Sequence, residues 1–142
     1  MSKAVENLIK AQQFAMSIRP QKGGFPYLAE VLRRAGVTRN TWHLPSCQSI
    51  YLTQYGAVVN QGTPLLNTTI DIPRFDRDAL ITALRTNQEG QSSFPEFLKA
   101  SWEAGVVSYL VDFEKRVVVY SGVLGESYSE NYPAVEIKNN QK

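Results

Sequence analysis

The sequence is poor in the residues that carry most metal and nucleophilic chemistry, with one cysteine, one histidine and no long apolar run. A single thiol, Cys47, cannot form a disulfide within the chain, which fits a reducing compartment. One histidine and one cysteine supply two good ligands where a zinc ion takes three or four from the protein, so we expect no metal site and no cofactor. No apolar stretch approaches the roughly 20 residues that cross a bilayer, and the first residues lack the apolar core of a signal peptide. We therefore expect a cytoplasmic protein that does not enter a membrane.

The overall composition is that of a globular protein with an uneven distribution of charge. The chain has 142 residues, of which 43% are hydrophobic and 20% are charged, enough for one domain with a sizeable core. Residues 1–40 carry seven basic and two acidic side chains, whereas the rest carries eight basic and eleven acidic ones. These opposite net charges, +5 and −3, favour self-association into a homo-oligomer or the steering of an anion. The alternative is that the charges lie on solvated helix faces.

The stretch at residues 25–37 is partly repeated at residues 94–106. Both copies run from Phe-Pro to Ala-Gly-Val, and the match continues without a gap at a constant spacing of 69 residues. The matched pairs are Phe25/Phe94, Pro26/Pro95, Ala35/Ala104, Gly36/Gly105, Val37/Val106, Tyr51/Tyr120, Gly56/Gly125 and Pro64/Pro133. This spacing predicts two copies of one structural unit, about residues 3–70 and 72–138, within a single domain of residues 1–142.

Each predicted unit contains two helices followed by three strands. Apolar residues spaced by three and four predict a helix over residues 3–18, and a second helix begins at Phe25 and ends at Gly36. After residue 37 the pattern changes to short alternating runs separated by turns, and the second unit repeats this order. The prediction is an α+β fold, a single two-layer domain from a tandem α-α-β-β-β pseudo-repeat, with antiparallel meanders covered by helices. A short strand over residues 68–72 is a further expectation.

Three stretches carry a resemblance to a known family. They are residues 24–37, the Trp-His-Leu-Pro-Ser segment at 42–46 and the Gln-Gly-Thr-Pro segment at 61–64. The chain resembles small bacterial and prophage-encoded proteins labelled "phage envelope protein", otherwise grouped as a domain of unknown function. The likeness extends over nearly the whole chain, to residues 133–137. It implies no catalytic residue and no cofactor, so no residue role is taken from it.

One cluster of reactive residue types lies around a predicted hairpin turn, where His43, Ser46 and Cys47 fall within five residues. Because His43 is the only histidine, any Cys-His or Ser-His nucleophile pair must use it. Asp112 or Glu114 of the second unit would then orient the imidazole ring. The competing interpretation is that Cys47 is a small buried apolar group and His43 an ordinary strand residue.

A second group of candidate residues suggests binding. Arg33, Arg34 and Arg39 lie near Trp42 in the sequence, and this mixture of charge and stacking surface is used on nucleic acid, although Trp42 also suits a core position. Tyr51 and Gln61 belong to a polar first meander that would line a small-molecule cleft between the halves. The leading hypothesis is a non-enzymatic interaction or small-ligand-binding module. A small hydrolase or transferase using Cys47 or Ser46 with His43 is the alternative, and a nucleic-acid binder using the basic N-terminal half is third, because a pI near 8.7 is modest for that class.

Overall fold

The fold consists of two consecutive sets of two helices and three strands, in a computed structural model that describes residues 2–137. The first set contains α1 (Lys3–Ile18), α2 (Phe25–Arg34), β1 (Val37–His43), β2 (Gln48–Thr53) and β3 (Gly56–Gln61). The second contains α3 (Arg77–Gln88), α4 (Phe94–Glu103), β4 (Val106–Asp112), β5 (Val117–Gly122) and β6 (Ser127–Asn131). The predicted α+β class and the repeated α-α-β-β-β order are confirmed.

All six strands join into one antiparallel sheet, with the order β3-β2-β1-β4-β5-β6. At its centre β1 pairs with β4, and Thr41 lies opposite Leu110. These two residues are 69 positions apart, so each faces its own repeat equivalent. The two halves are therefore related by a pseudo-two-fold axis through this pair. Joining the meanders here also protects two strands that would otherwise be exposed sheet edges.

The repeated sequence signature sets the start and the end of α2 and α4, each ten residues long. Both helices have a proline in the first turn, where its missing N–H group costs nothing. Each is followed by a glycine with a left-handed backbone, Gly36 at φ +93° and Gly105 at φ +88°. The two helices therefore match in length because both begin at Phe-Pro and both end before a left-handed glycine.

The hydrophobic core lies between the helices and one face of the sheet. Leu44, Leu80, Val106 and Phe113 are almost completely buried there. Along β5 the residues alternate between buried and half-buried, as expected for a sheet with one covered face. On the opposite face apolar side chains remain exposed: Ile50, Leu52 and Val59. The helices thus form one layer and the sheet the other.

The structure departs from the sequence expectations in the connection and in the second hairpin. The short strand predicted over residues 68–72 is wrong, because that segment has no ladder partner and Ile70 and Ile72 are exposed. In β2 and β3 Tyr51 pairs with Val58, whereas in β5 and β6 Tyr120 pairs with Tyr128. The second hairpin is therefore longer by one residue, so the structural equivalents in β3 and β6 are 70 residues apart, although Pro64 and Pro133 beyond them keep the spacing of 69 in the sequence.

Candidate functional site

A cavity of about 1640 Å³ lies between the two helical pairs and the sheet. Its walls come from the ends of α1 and α3 and the starts of α2 and α4, and its floor is the inward face of the central strands. The cavity lies over the β1–β4 seam, close to the pseudo-two-fold axis. It exceeds the roughly 300–1,000 Å³ of ordinary ligand pockets, so it has room for a small molecule together with water.

Aromatic side chains from neighbouring strands form a row on the sheet, which we call the aromatic row: Trp42, Tyr109, Tyr120 and Tyr128. The first three line the floor of the cavity. Successive ring centroids along this row are 6.1, 5.6 and 6.5 Å apart. The row forms because its members are direct cross-strand partners on one face of the sheet. The rings of Trp42 and Tyr109 are nearly parallel, at 16°. The two rings are stacked against each other, and both residues line the cavity.

Two tyrosine hydroxyls in this row lack a hydrogen-bond partner. The Tyr128 hydroxyl donates to Glu130 at 2.7 Å, whereas the hydroxyls of Tyr109 and Tyr120 make no hydrogen bond to any residue between 2 and 137. Tyr109 and Tyr120 are only 8% and 6% exposed, and both line the cavity. Burial raises the pKa of both hydroxyls above the usual value for tyrosine, so they stay protonated at neutral pH. They are hydrogen-bonding groups available to whatever fills the cavity.

The remaining polar groups of the floor come from the first half. Asn40 is buried on β1, and its side-chain amide donates to the carbonyl of Ile50 at 3.1 Å. Tyr51 lies beside it on β2, and burial raises the pKa of its hydroxyl. Arg85, at the border of the cavity, is ion-paired with Glu130. The floor between Asn40 and the aromatic row is polar but uncharged.

The two loops that join the helices of each pair meet across the cavity. The backbone N–H of Gly23 donates to the carbonyl of Gln88 at 2.9 Å, and the Gln21 amide donates to the carbonyl of Gly90 at 2.9 Å. Lys22 lies 3.4 Å from Glu89. Gln21 and Gly90 are repeat equivalents, so this contact, which we call the interloop latch, also lies near the pseudo-two-fold axis. The β1–β4 seam and the latch hold the two halves together on either side of the cavity.

Only part of the binding group predicted from the sequence lies at this cavity. Trp42 and Tyr51 line it. Arg39 is exposed on the other face of the sheet, 3.9 Å from Asp112, and the Gln61 amide donates to the carbonyl of Ser46 at the end of β3.

Arg33 and Arg34 belong to a separate network at the end of α2. Each has a guanidinium nitrogen 2.8 Å from the Glu30 carboxylate. The hydrogen bonds from Arg33, and then those from Arg34, outweigh the effect of burial and lower the pKa of Glu30 to about 2. These arginines are therefore ion-paired with a buried carboxylate near the end of α2.

The predicted nucleophile cluster is spread over both sides of the sheet. Cys47 is buried, its thiol donates to the carbonyl of Leu44 at 3.4 Å, and burial raises its pKa. His43 is exposed, and the backbone N–H of Cys47 donates to its carbonyl at 2.8 Å. No hydrogen bond in the described part of the chain joins the His43 imidazole to the side chain of Ser46 or Cys47. His43 pairs with Ser108, whereas Asp112 lies four residues further along β4, opposite Arg39. The structure does not bring a thiolate, an imidazole and a carboxylate together.

Sequence reasoning missed Asn40 and Tyr109 as cavity residues. Strand alternation would have found Tyr109, because it lies on the same side of β4 as the buried Val111. Within residues 2–137 no group of three His, Cys, Asp or Glu side chains is placed to hold a metal ion. No helix over the same residues is long and apolar enough to span a bilayer.

Comparisons with known proteins give relatives but no activity. A family model described as "Protein of unknown function (DUF1398)" matches residues 12–130. The chain is 53% identical over 136 residues to the uncharacterized proteins Mb2035 of Mycobacterium bovis and Rv2012 of Mycobacterium tuberculosis. Those matches cover 96% of this chain and 83% of each relative. The descriptions agree with the unknown-function part of the resemblance, and none of them mentions a phage envelope.

Proposed function

The chain belongs to the DUF1398 family of unknown function, and we propose that it is a non-enzymatic module that binds a small molecule in the cavity between its halves. The observation that carries the proposal is the aromatic row, where Tyr109 and Tyr120 line the cavity and their hydroxyls bond to no group among residues 2–137 but are open to solvent in the cavity. A ligand that displaces water from these hydroxyls can accept their hydrogen bonds in its place.

Binding is favoured over catalysis because the cavity lining holds no histidine and no cysteine in the described part of the chain. Covalent catalysis needs a nucleophile within hydrogen-bonding reach of a base. His43 and Cys47, the residues proposed for that role from the sequence, both lie outside the lining. The hydrolase or transferase alternative stays a prediction, as do nucleic-acid binding, the homo-oligomer, the prophage origin and the cytoplasmic location.

Two neighbouring residues of β5 give a matched test. Val118 is 5% exposed and lines the cavity, whereas Val119 lies on the opposite face of the sheet. Tryptophan at position 118 would occupy cavity space, and tryptophan at position 119 would not. We would titrate the full chain with N-phenyl-1-naphthylamine, an uncharged dye that fluoresces on entering an apolar site. The same preparations would be extracted and analysed by mass spectrometry for molecules acquired in the cell.

We expect the unsubstituted protein and V119W to bind the dye alike and V118W to bind it about tenfold more weakly or worse, because overfilled sites lose affinity. Urea unfolding of both variants would show that each is folded. Equal dye binding by V118W and V119W, or no binding by the unsubstituted protein, would contradict the proposal.

A further inference from the structure

We infer that the ligand is a flat, uncharged aromatic molecule that carries a hydrogen-bond acceptor, and that Tyr109 and Tyr120 recognise this acceptor. The inference rests on the proposed binding function and adds the chemical class of the ligand. Three properties of the cavity support it: the aromatic rings that line it, the unused hydroxyls and the positions of the charges.

The aromatic row favours a flat partner. Trp42, Tyr109 and Tyr120 line the cavity with neighbouring rings, and Phe94, which also lines it, packs against Trp42 at 5.2 Å and 76°. Aromatic rings attract one another in edge-to-face or offset stacked arrangements beyond the burial of their area. A flat aromatic ligand in the cavity can make such contacts with several of these rings at once.

The two unused hydroxyls favour an acceptor on the ligand. Tyr109 and Tyr120 are neighbours on β4 and β5, with ring centroids 5.6 Å apart, so one acceptor group can be reached from both sides. A ligand without an acceptor would displace water from these hydroxyls without replacing its hydrogen bonds. Their raised pKa keeps both as donors throughout the physiological pH range.

The charges around the cavity favour an uncharged ligand. The floor near Asn40, Trp42 and Tyr109 carries no ionised side chain. The ionised residues of the lining lie away from it, and Lys22 is paired with Glu89 and Arg85 with Glu130; the full set is Arg19, Lys22, Arg85, Glu89, Glu96 and Glu130. A charged ligand on this floor would lose water without gaining a counter-ion, which is costly. A long aliphatic chain would be uncharged and would fill the volume, but it would forfeit the contacts with the aromatic rings.

The test compares three probes that share one flat shape with one aliphatic probe. Fluorene and 9-fluorenone share a flat three-ring frame, and only the ketone has an acceptor. Fluorenone-4-carboxylate adds a charge, and 1-dodecanol represents an aliphatic ligand. Each would compete with N-phenyl-1-naphthylamine for the full chain, for the variant Y109F/Y120F, and for Y55F, which removes an exposed hydroxyl on the β2–β3 turn.

We expect the unsubstituted protein and Y55F to bind fluorenone about tenfold more tightly than fluorene, the scale of one buried hydrogen bond. In Y109F/Y120F this ratio should fall to about one while fluorene binding is kept, because the rings remain. The carboxylate should bind more weakly than fluorenone.

Three outcomes would overturn the inference. Equal binding of fluorene and fluorenone by the unsubstituted protein would remove the role of the hydroxyls, and this result does not depend on the variants folding. Tight binding of dodecanol with no binding of either flat probe would replace the ligand class while leaving the binding function intact. Failure of every probe, including the dye, would overturn the binding function itself.

Discussion

Replacing Glu30 by glutamine should remove a part of the stability that depends on pH. Glu30 lies on α2 and is 6% exposed, and its carboxylate accepts hydrogen bonds from Arg33 at 3.0 and 2.8 Å and from Arg34 at 2.8 Å. Arg116, on the β4–β5 turn, is 3.9 Å away. The Arg33 hydrogen bonds contribute most to lowering the pKa of Glu30 from 4.5 to about 2.

The size of the effect follows from this difference between the folded and unfolded pKa values. A shift from 4.5 to about 2 is 2.5 pKa units. At about 1.4 kcal/mol per unit the upper limit is roughly 3.4 kcal/mol of unfolding free energy. The arginine side chains are 40% and 51% exposed, and solvent screening should reduce this to about 2 kcal/mol. Because the folded pKa is the lower one, this stability is complete above about pH 4.5 and is lost as the pH falls towards about 2.

Urea unfolding between pH 7 and pH 3 would test this, with Glu103→Gln, an exposed change on α4, as the control. We expect E30Q to be less stable than the unsubstituted protein by about 2 kcal/mol at neutral pH, and this deficit to shrink by roughly half at pH 3, which lies between the unfolded and folded pKa values of Glu30. E103Q should follow the unsubstituted protein throughout. A deficit of E30Q that stays constant from pH 7 to pH 3 would show that Glu30 acts through packing, and would refute the argument.

Two further predictions concern a glycine and the cysteine. Alanine at Gly105 should cost roughly 3 kcal/mol of unfolding free energy or more, against about 1 kcal/mol at Gly125, because both have φ near +90° but only at Gly105 would the Cβ lie 2.5 Å from the backbone of Arg74. Equal losses in urea unfolding would contradict the steric explanation. Cys47 should react with iodoacetamide far more slowly in the folded protein than in urea, and faster only as the pH rises above the usual thiol range, because burial raises its pKa. Rapid alkylation of the folded protein at neutral pH would instead support the nucleophile hypothesis.

The local elements could be predicted because their signals lie close together in the chain. Apolar spacing predicted α1 over residues 3–18, as observed, and the Phe-Pro starts and glycine ends predicted α2 and α4. The central pairing of β1 with β4 could not be predicted in this way. This pairing places Thr41 opposite Leu110. No sequence pattern close to either residue indicates which strand will pair with it.

The site was harder to predict than the fold. Cys47, which precedes β2, has a left-handed backbone at φ +56°, and Arg116 has the same conformation 69 residues later at φ +55°. A pattern of residue types does not reveal a left-handed backbone at residues other than glycine. The same limit applies to Trp42, since alternation gives the face of a strand but not whether the space above it is filled.

The β1–β4 seam is held by main-chain hydrogen bonds, and the interloop latch adds one more, from Gly23 to Gln88, whereas the cavity floor between them consists of side chains. Replacing a side chain leaves most main-chain hydrogen bonds in place, so the frame and the lining can change independently during evolution. Under the proposed binding function, members of this family would keep one architecture while differing in ligand, in the way that antibody loops vary on a constant scaffold. The proposal then predicts that the residues at positions 40, 42, 51, 109 and 120 sort relatives by ligand more sharply than overall identity does.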